Sequence, residues 1–438
     1  MKILIISLGC DKNKVDTENL IGYLAEDGHI IVNEYSEADI IIVNSCAFLQ
    51  SAVKESVDTV FEAAGASDAK IILTGCLPQR YMDEISGENG LSEVDAFVSN
   101  QHYHRINEII QQVVDGERLI LHNASGSGVI PSVSRILTTP LHYAFLKIAD
   151  GCNNCCTYCA IPRIRGRYRS ELKSEIVNEA KRLINTYGTQ EFIIVAQDVT
   201  RYGSDRGELE LMNLLDELEK LELYKLRLMY CYPELVTKAL IDRIAAGGKI
   251  AKYIDMPMQH IDDKILTRMN RRSCEKELRA TMDYIKGKDV AVRSTFIVGF
   301  PTEGESEFDK LCSFLSEYRI DNAGFFAYSR EEGTAAYKMG EQVPYAVKRK
   351  RLQSAIALQS SIMANDADKL IGKTVEVTYD GIDYNKQCFF GHSEYNHPEI
   401  DKKAYFKSDY PLDIGSRYKI RITNRVKLDL KGRVEALK

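Results

Sequence analysis

Residues 151–159 read Gly-Cys-Asn-Asn-Cys-Cys-Thr-Tyr-Cys and follow directly on the apolar run Ala144–Ala149. Cys152, Cys156 and Cys159 are spaced CxxxCxxC, which lets three thiolates hold one small iron–sulfur cluster. A four-iron cluster takes one ligand on each iron, so three cysteines leave one iron open to a substrate or cofactor. The stretch therefore predicts a reactive metal site at the end of a strand.

Other interpretations explain these cysteines less well. A structural zinc site needs four closed ligands, usually as paired CxxC units, and no second pair or nearby histidine follows. Four cysteines between positions 152 and 159 are also too dense for ordinary core packing. Cys155 stands beside Cys156 and can in principle replace it, so the choice between these two ligands stays open.

The composition is that of an ordinary globular protein, with 438 residues, of which 45% are hydrophobic and 27% charged. The length allows two or three domains, and the net charge of −6 implies no general affinity for nucleic acid. The apolar start lacks the length of a signal sequence, and no apolar stretch reaches about 18 residues. Eleven cysteines without an export signal fit a reducing compartment. We therefore expect a cytoplasmic protein without a membrane span.

Residues 1–135 alternate strand-like and helix-like runs, which predicts an α/β domain with an open, flavodoxin-like parallel sheet. We expect strands at Lys2–Leu8, His29–Tyr35, Asp39–Asn44, Lys70–Thr74 and Ala96–Ser99, and helices at Val15–Asp27 and Leu49–Ala64. A linker is expected at about 120–140, where Asn123–Gly128 and Thr138–Pro140 are rich in turn formers.

Three lone cysteines each follow a predicted strand of this domain: Cys10, Cys46 and Cys76. The carboxyl ends of parallel strands share one edge of a sheet, which is where ligands bind. Gly9 and Gly75 directly precede two of these cysteines and let the backbone approach a bulky ligand. The pattern predicts a second three-cysteine cluster with an open iron, against the alternative of three unrelated buried thiols.

Residues 136–368 repeat a strand–helix rhythm six times, which predicts a partial (β/α)6 barrel with its site at the strand carboxyl ends. We expect strands at Ala144–Ala149, Glu191–Ala196, Lys225–Cys231, Tyr253–Met256, Val290–Val298 and Asn322–Tyr328. We expect helices at Leu172–Tyr187, Glu210–Leu221, Leu235–Ala246, Asp262–Asn270, Glu275–Lys288 and Glu305–Tyr318. Several of these strands end in polar or small residues, namely Gln197, Asp198, Tyr232, Gln259, His260, Gly299 and Tyr328.

Four arginines alternate just after the CxxxCxxC motif: Arg163, Arg165, Arg167 and Arg169. In an extended segment their side chains share one face. That face either holds a substrate carboxylate, which arginine pairs with well, or forms salt bridges across the barrel mouth.

The last part of the chain changes to short strands separated by Gly and Pro, which predicts a small all-β barrel at 369–438. A helix is expected over Ala346–Leu370, followed by strands at Thr374–Tyr379, Cys388–Phe390, Lys403–Phe406 and Tyr418–Thr423. Residues 370–438 carry 13 Lys and Arg against 10 Asp and Glu. This domain is either a stabilising cap or a platform for RNA or a ribosomal partner.

The CxxxCxxC motif with Tyr158 before its last cysteine resembles the radical S-adenosylmethionine (SAM) superfamily. Three isolated upstream cysteines and a downstream TRAM-like, OB-like barrel are similar to the methylthiotransferases of that superfamily. The stretches that resemble its RimO branch are Gly9–Asn13, Val15-Asp16, Ala196–Asp198, Tyr202-Gly203 and Asn396–Asp401. The tRNA-modifying branch typically has Gln-Met-Asn where this chain has Asp11-Lys12-Asn13. Cys155, and the lack of a proline after Arg169-Ser170-Glu171, depart from the family pattern.

The resemblance implies two 4Fe–4S clusters, with ligands Cys10, Cys46 and Cys76 for one and Cys152, Cys156 and Cys159 for the other. It implies SAM on the open iron of the second cluster, with Tyr158 bordering the adenine and Asp198 pairing with the SAM ammonium. The remaining pocket residues implied are Gln197, Gln259, Gly299 and Tyr328. SAM then has two roles, as methyl donor to a sulfide on the first cluster and as radical source.

The implied substrate is an aspartate β-carbon of small-subunit ribosomal protein twelve, free or in the ribosome. The same chemistry on an adenosine of tRNA is the alternative, which the acidic net charge disfavours. An electron donor such as flavodoxin or ferredoxin is also implied. A non-catalytic iron–sulfur electron carrier is a third hypothesis, but a carrier has no use for open irons.

Overall fold

The computed structural model describes residues 1–122 and 133–435. The segment Asn123–Gly128, which the sequence assigns to a linker, lies outside the described residues. No helix in the described part of the chain is long and apolar enough to cross a membrane.

The N-terminal domain is built on a six-stranded parallel sheet. Its strands are β1 (Lys2–Ser7), β2 (Ile30–Val32), β3 (Ile40–Ser45), β4 (Lys70–Gly75), β5 (Ala96–Val98) and β6 (Leu119–Leu121). Its helices are α1 (Asp11–Glu26), α2 (Gln50–Ala66), α3 (Cys76–Ser86) and α4 (Ile106–Val114). The strand order β2-β1-β3-β4-β5-β6 contains the doubly wound order of flavodoxin. The predicted flavodoxin-like sheet is confirmed.

Strand β6 corrects the predicted start of the linker. Leu119–Leu121 pairs in parallel with β5 at the edge of the sheet, although the sequence assigned residues from about 120 to connecting chain. Three half-exposed residues give too short a pattern to predict a strand, and only pairing with β5 makes one.

The central domain contains a second six-stranded parallel sheet, in the order β14-β13-β12-β11-β10-β7. The strands of this domain are β7 (Tyr143–Lys147), β8 (Ala149–Asp150), β9 (Arg169–Ser170), β10 (Glu191–Val195), β11 (Lys225–Leu228), β12 (Ile250–Asp255), β13 (Ala291–Val298) and β14 (Asn322–Ala327). Its helices are α5 (Ile161–Ile164), α6 (Lys173–Tyr187), α7 (Leu211–Leu218), α8 (Lys238–Ala246), α9 (Asp263–Arg268), α10 (Glu275–Ile285), α11 (Glu305–Tyr318) and α12 (Tyr345–Asp368). Because β7 and β14 are the two edges, the predicted partial barrel is confirmed.

The C-terminal domain is a closed five-stranded barrel in the order β15-β16-β17-β19-β18. Its strands are β15 (Thr374–Asp383), β16 (Cys388–His392), β17 (Ala404–Lys407), β18 (Arg417–Val426) and β19 (Asp429–Val434). The sequence did not predict β19, whose polar residues and glycine resemble a loop. Gly432 is required there because a Cβ would lie 2.5 Å from the carbonyl oxygen of Arg421 on β18.

The loop between β16 and β17, residues 393–401 and here called the floor loop, closes the amino-terminal end of the central barrel. The ring of His397 stacks on Phe145 of β7, with centroids 6.1 Å apart. Asp401 accepts a hydrogen bond from the hydroxyl of Tyr253 on β12 at 2.8 Å. Glu399 accepts one from Lys14 of α1 at 2.8 Å and one from Tyr143 at 3.1 Å. All three domains therefore meet at this loop.

Candidate functional site

Cys10, Cys46 and Cys76 lie at one edge of the N-terminal sheet. They follow β1, β3 and β4, which are neighbours in the sheet. Cys10 precedes α1 as its N-cap, and Cys76 is the first residue of α3. The side chain of Cys10 is exposed, that of Cys46 is half-buried and that of Cys76 is buried. The placement predicted from strand order is therefore observed.

Two glycines bring these cysteine loops together. Gly9 has φ +93°, and a Cβ there would lie 2.9 Å from the Sγ of Cys46. Gly75 has φ +91°, and a Cβ there would lie 2.4 Å from the carbonyl oxygen of Ser45. Both positions combine left-handed backbone with close approach, which suits glycine alone.

Burial disfavours ionisation of two thiols at this edge, those of Cys46 and Cys76. Burial raises the pKa of Cys76 to about 11; the Arg165 cation opposes the shift, and the thiols of Cys10 and Cys46 add to it. Burial likewise raises the pKa of Cys46. A bound metal deprotonates a coordinating thiol, so this donor set fits a metal cluster.

Cys152, Cys156 and Cys159 lie at the carboxyl end of the central sheet, in the loop between β8 and α5. The loop is held by Cys152 N–H, which donates to Gly166 O at 3.1 Å, and by Cys159 N–H, which donates to Cys156 O at 3.0 Å. Burial raises the pKa of Cys152 to about 11 and that of Cys159 further. Cys156 adds to both shifts, because its charge lies close by.

The structure favours Cys156 over Cys155 as the ligand in this loop. Cys155 is exposed and adopts a positive φ of 51°. Its carbonyl accepts a hydrogen bond from Asn270 Nδ2 at 3.0 Å. Cys156 is buried, as is Cys152.

The arrangement of donors differs from that of a single-ion site. Within residues 1–122 and 133–435, no three His, Cys, Asp or Glu side chains converge closely enough to share one metal ion. A polynuclear cluster takes each cysteine on a different iron, so its ligands need not meet at one point. Each cysteine set therefore offers three thiol donors, the number that leaves one iron of a four-iron cluster open.

Three of the predicted SAM-pocket residues border one aromatic group beside Cys159. The Tyr158 ring packs edge-on against Phe300 at 6.5 Å, and Phe300 packs against Tyr328 at 5.2 Å. Gly299 precedes Phe300 and donates its N–H to Glu303 Oε2 at 2.8 Å. A Cβ on Gly299 would lie 2.4 Å from Cγ of Lys348, so helix α12 packs directly on this turn.

Gln259 follows β12 and Gln197 follows β10, two strands that are separated in the sheet by β11. Gln259 has φ +70°, and its N–H donates to Thr295 O on β13 at 2.8 Å. Gln197 Nε2 donates to Asp150 Oδ1 at 3.1 Å. Its Oε1 is buried and accepts no hydrogen bond from the described residues. That oxygen is therefore an unsatisfied acceptor at the carboxyl end of β10.

Asp198 lies behind the cysteine loop and is already fully engaged. Its carboxylate accepts hydrogen bonds from Asn154 Nδ2 at 2.9 Å and Thr200 Oγ1 at 2.5 Å, and pairs with Arg201 at 3.1 Å. The side chain is fully buried. In this geometry Asp198 holds the loop that carries Cys152, and the buried Oε1 of Gln197 is the oxygen that lacks a described donor.

The prediction of an extended arginine face is wrong. Arg163 lies in α5, where Pro162 favours a helical start. Arg165 is buried and pairs with Asp16 at 2.5 Å and with Asp150 at 3.3 Å. Its Nη2 lies 3.7 Å from the Sγ of Cys76. Arg165 therefore forms salt bridges, as the alternative reading held, and links the two cysteine sets.

A second buried ion pair docks the N-terminal domain on the barrel mouth. Arg80 of α3 pairs with Glu331 at 3.1 Å, and both side chains are almost fully buried. Lys147 of β7 also pairs with Asp16 of α1 at 2.5 Å. These contacts fix the N-terminal domain against the central barrel on the side that carries the two cysteine sets.

Sequence reasoning missed two residues of the site. Arg271, just after α9, places Nη1 3.8 Å from the Sγ of Cys156. Lys12 is 7% exposed, and its Nζ lies 3.4 Å from the ring centre of Tyr230 and 3.0 Å from Asp11. Lys12 lies in the Asp11-Lys12-Asn13 stretch that differs from the tRNA-modifying branch, and this was its available signal. The only signal for Arg271 was its position after a barrel helix.

Comparisons with known proteins agree with this architecture. Family models match residues 2–99 (Uncharacterized protein family UPF0004), 146–315 (Radical SAM superfamily) and 371–434 (TRAM domain). A solved radical SAM methyltransferase, TsrM from Kitasatospora setae with cobalamin and a 4Fe–4S cluster bound, superposes with a TM-score of 0.55 at 12% identity. The match covers 76% of this chain and 73% of that one, and it supports the fold.

Relatives of known name match over nearly the whole chain. A protein of Clostridium tetani is 41% identical over 99% of this chain and 98% of its own length. One of Thermoanaerobacter sp. is 39% identical, with 98% of each chain covered. One of Heliobacterium modesticaldum is 40% identical over 99% of this chain and 95% of its own. Each is named ribosomal protein uS12 methylthiotransferase RimO.

The matched family models and the named full-length relatives define a radical SAM enzyme of the methylthiotransferase class. Within that class, the full-length similarity shows that the chain belongs to the RimO family.

Proposed function

We propose that the protein adds a methylthio group to the β-carbon of an aspartate in ribosomal protein uS12. The observation that carries the proposal is the presence of two cysteine sets on either side of one domain interface, joined by Arg165, which lies 3.7 Å from Cys76 and six residues after Cys159. The chain extends over almost the whole length of relatives named for that activity. Modification of tRNA by the same chemistry is the disfavoured alternative.

The two cysteine sets are proposed to hold one 4Fe–4S cluster each. When bound, the Cys152, Cys156 and Cys159 cluster supplies the electron that cleaves SAM, and the other cluster supplies the sulfide. Gln197 Oε1, a buried acceptor without a described partner, is proposed to accept from the SAM ammonium. Tyr158 borders the adenine, and Gln259 and Gly299 shape the pocket together with Tyr328. The electron comes from a one-electron donor such as flavodoxin or ferredoxin in the cytoplasm.

Lys12 is proposed to hold the substrate carboxylate, in place of the arginine face. Its ammonium is buried beside Tyr230 and has one described acceptor, Asp11, although an ammonium carries three donors. It lies two residues after Cys10, on the side facing the central barrel. A carboxylate bound there has its β-carbon close to the site of sulfur transfer.

An RNA contact through the C-terminal barrel is proposed to accompany recognition of uS12 in the ribosome. Strand register places Arg421 opposite Arg433 and Lys407 opposite the same Arg433. Like charges directly opposite one another destabilise a sheet. Lys407, Arg421 and Arg433 thus form a row of cations across three strands. Among the described residues this row forms a single ion pair, Arg433 with Asp409 at 3.9 Å, so the row suits a phosphate backbone.

The RNA contact predicts salt-sensitive binding to the small ribosomal subunit. Replacing Lys407, Arg421 and Arg433 with serine should weaken binding and reduce the slope of log affinity against log salt by roughly two. A control triple on the other domains, at Lys54, Lys220 and Lys288, removes the same charge from cations that already pair with acids. An unchanged slope in the first variant would leave the barrel as a stabilising cap.

The main test is a mass measurement on the substrate. The protein is reconstituted with iron and sulfide without oxygen, reduced, and mixed with SAM and purified uS12. We expect uS12 to gain the mass of one methylthio group. Replacing Cys152, Cys156 or Cys159 with Ala should abolish SAM cleavage, whereas replacing Cys10, Cys46 or Cys76 should spare cleavage and stop transfer. A gain on purified tRNA and none on uS12 would overturn the proposal.

A further inference from the structure

Arg271 is a buried cation in direct contact with the CxxxCxxC loop. Its side chain is 7% exposed, and its Nη1 lies 3.8 Å from the Sγ of Cys156. Nη2 donates to Pro257 O at 2.9 Å. The guanidinium lies on the ring of Tyr232, 4.1 Å from its centre. Backbone, ring and thiol therefore hold the guanidinium in one place.

In the described part of the chain, the carboxylate of Glu234 acts on the charge of Arg271 only from beyond ion-pair distance. None of its nitrogens forms an ion pair within 4.0 Å there, and its buried Nε has no hydrogen-bond acceptor. A buried charge is costly unless an anion or strong acceptors compensate it. The polar atom that Nη1 reaches, the Cys156 sulfur, belongs to the proposed cluster.

Arg165 provides an internal comparison at the other cysteine set. It also touches a ligand cysteine, with Nη2 3.7 Å from the Sγ of Cys76. Its charge, however, is neutralised by Asp16 at 2.5 Å and Asp150 at 3.3 Å. The arginine that contacts Cys76 is therefore neutralised by carboxylates, whereas the arginine that contacts Cys156 forms no ion pair among the described residues.

We propose that Arg271 is the counter-charge of the cluster held by Cys152, Cys156 and Cys159, and that it raises the reduction potential of that cluster. The inference rests on the proposed function for the ligand assignment. Reduction adds one electron to the cluster and takes up no proton, so the site becomes more negative by one charge. A fixed cation nearby stabilises the reduced form more than the oxidised form, and an N–H···S contact acts in the same direction. Arg271 is thus a positioning and tuning residue.

The test measures the potential of the reconstituted full-length protein without SAM. Cys10, Cys46 and Cys76 are replaced with Ala, so that one cluster gives the signal. The midpoint potential is measured by electron paramagnetic resonance during a redox titration. In this background, Arg271→Gln should lower that midpoint potential by at least 59 mV. That shift is a tenfold change in the ratio of reduced to oxidised cluster. Arg272→Gln, at the exposed neighbouring residue, removes the same charge and should leave the midpoint unchanged.

A second variant separates charge from structure. Arg271→Lys keeps the charge and loses the planar fork, so its midpoint should stay closer to the wild-type value than that of Arg271→Gln. If Arg271→Gln fails to take up iron, the lysine variant decides: a midpoint lowered by the full 59 mV would overturn the inference.

Two further outcomes would also overturn the inference, and they are distinguishable. An unchanged midpoint in iron-loaded Arg271→Gln, with weaker SAM binding, would make the residue a partner of the SAM carboxylate. Absence of any cluster signal in the background protein with Arg271 intact would refute the ligand assignment, and with it the proposed function.

Discussion

At the scale of single residues, the site depends on cations placed between the two cysteine sets. Arg165 joins them with its charge neutralised by Asp16 and Asp150, while Lys12 beside Cys10 keeps donors to spare. Sequence spacing alone placed the substrate cation among the alternating arginines. The partner that takes Arg165 out of that role, Asp16, lies 149 residues away in sequence, which no local pattern reveals.

Lys12 is expected to recognise the charge of the substrate aspartate. Lys12→Met should weaken binding of uS12 by roughly tenfold or more, because a hydrogen bond to a charged group contributes about 1.5–3 kcal/mol. The modified aspartate of uS12, located by mass spectrometry, is changed to asparagine for comparison. Wild-type protein should discriminate between the two forms of uS12, and the Lys12→Met protein should not.

This expectation is checked by measuring the affinity of the reconstituted protein for both forms of uS12 by titration calorimetry. Lys54→Met serves as the control, because Lys54 is an exposed cation on α2 paired with Asp58. Equal discrimination in the wild-type and Lys12→Met proteins would limit Lys12 to joining the domains through Tyr230.

At the scale of elements, the turns after the strands carry the site, and glycines allow their close approach. The turn after β13 shows the constraint, since Gly299 has φ +71° and packs against Lys348 of α12. Lys348 in turn donates to Tyr328 O at 3.0 Å. Helix α12 therefore positions two of the proposed SAM-pocket residues, although it lies outside the sheet.

Gly299→Ala is expected to reduce SAM affinity by about tenfold. The left-handed backbone costs an alanine roughly 1–2 kcal/mol, and its Cβ would lie 2.4 Å from Cγ of Lys348 and 3.3 Å from its Cα. The turn must therefore move. Gly340→Ala, where nothing lies within 4 Å of the added Cβ, should leave the affinity unchanged, as measured by calorimetry with SAM. Equal affinity in Gly299→Ala would place SAM away from this turn.

Periodicity predicted the elements whose pattern depends on burial. The buried run Ile40–Ser45 and the sixfold strand–helix rhythm gave clear signals, because parallel strands covered on both faces are continuously apolar. The strands β6 and β19 were missed, since one is three half-exposed residues and the other is polar. Spacing predicted where the cysteines lie, at the carboxyl ends of the strands, and their role as ligands stays a prediction. Arg271 was not predictable, because its proposed importance comes from its contact with Cys156 and from the lack of an ion pair among the described residues, which are properties of the folded molecule.

At the scale of the whole molecule, the domains are joined by buried ionisable groups. His392 of the C-terminal barrel lies between Asp380, with Nδ1 2.8 Å from Oδ2, and Glu191 of the central barrel, with Nε2 2.9 Å from Oε2. Burial alone would lower the pKa of His392, but these two carboxylates outweigh it and raise that pKa to about 9. Arg227 pairs with Glu191 at 2.9 Å, and His142 contacts Asp380 at 2.9 Å.

This junction predicts a loss of stability in alkaline solution. The folded pKa of His392 lies above its ordinary value of 6.5, so its contribution is complete below about pH 6.5 and is lost as the pH rises through about 9. The difference corresponds to roughly 3 kcal/mol. The first unfolding transition, followed by calorimetry, should therefore fall between pH 6.5 and 10. His392→Gln should flatten that dependence, whereas His104→Gln, at an exposed position, should preserve it. An equally steep fall in His392→Gln would assign the effect to other groups.

The floor loop also limits how such an enzyme can be recombined. The C-terminal domain supplies Glu399, which meets Lys14 of the first domain and Tyr143 of the second. A chimera that takes the C-terminal domain from a relative therefore also replaces the floor loop at the amino-terminal end of the central barrel. A chimera keeps these contacts of Glu399 when α1 and the start of β7 are exchanged together with the C-terminal domain. The three domains should therefore be exchanged together, although each has its own fold.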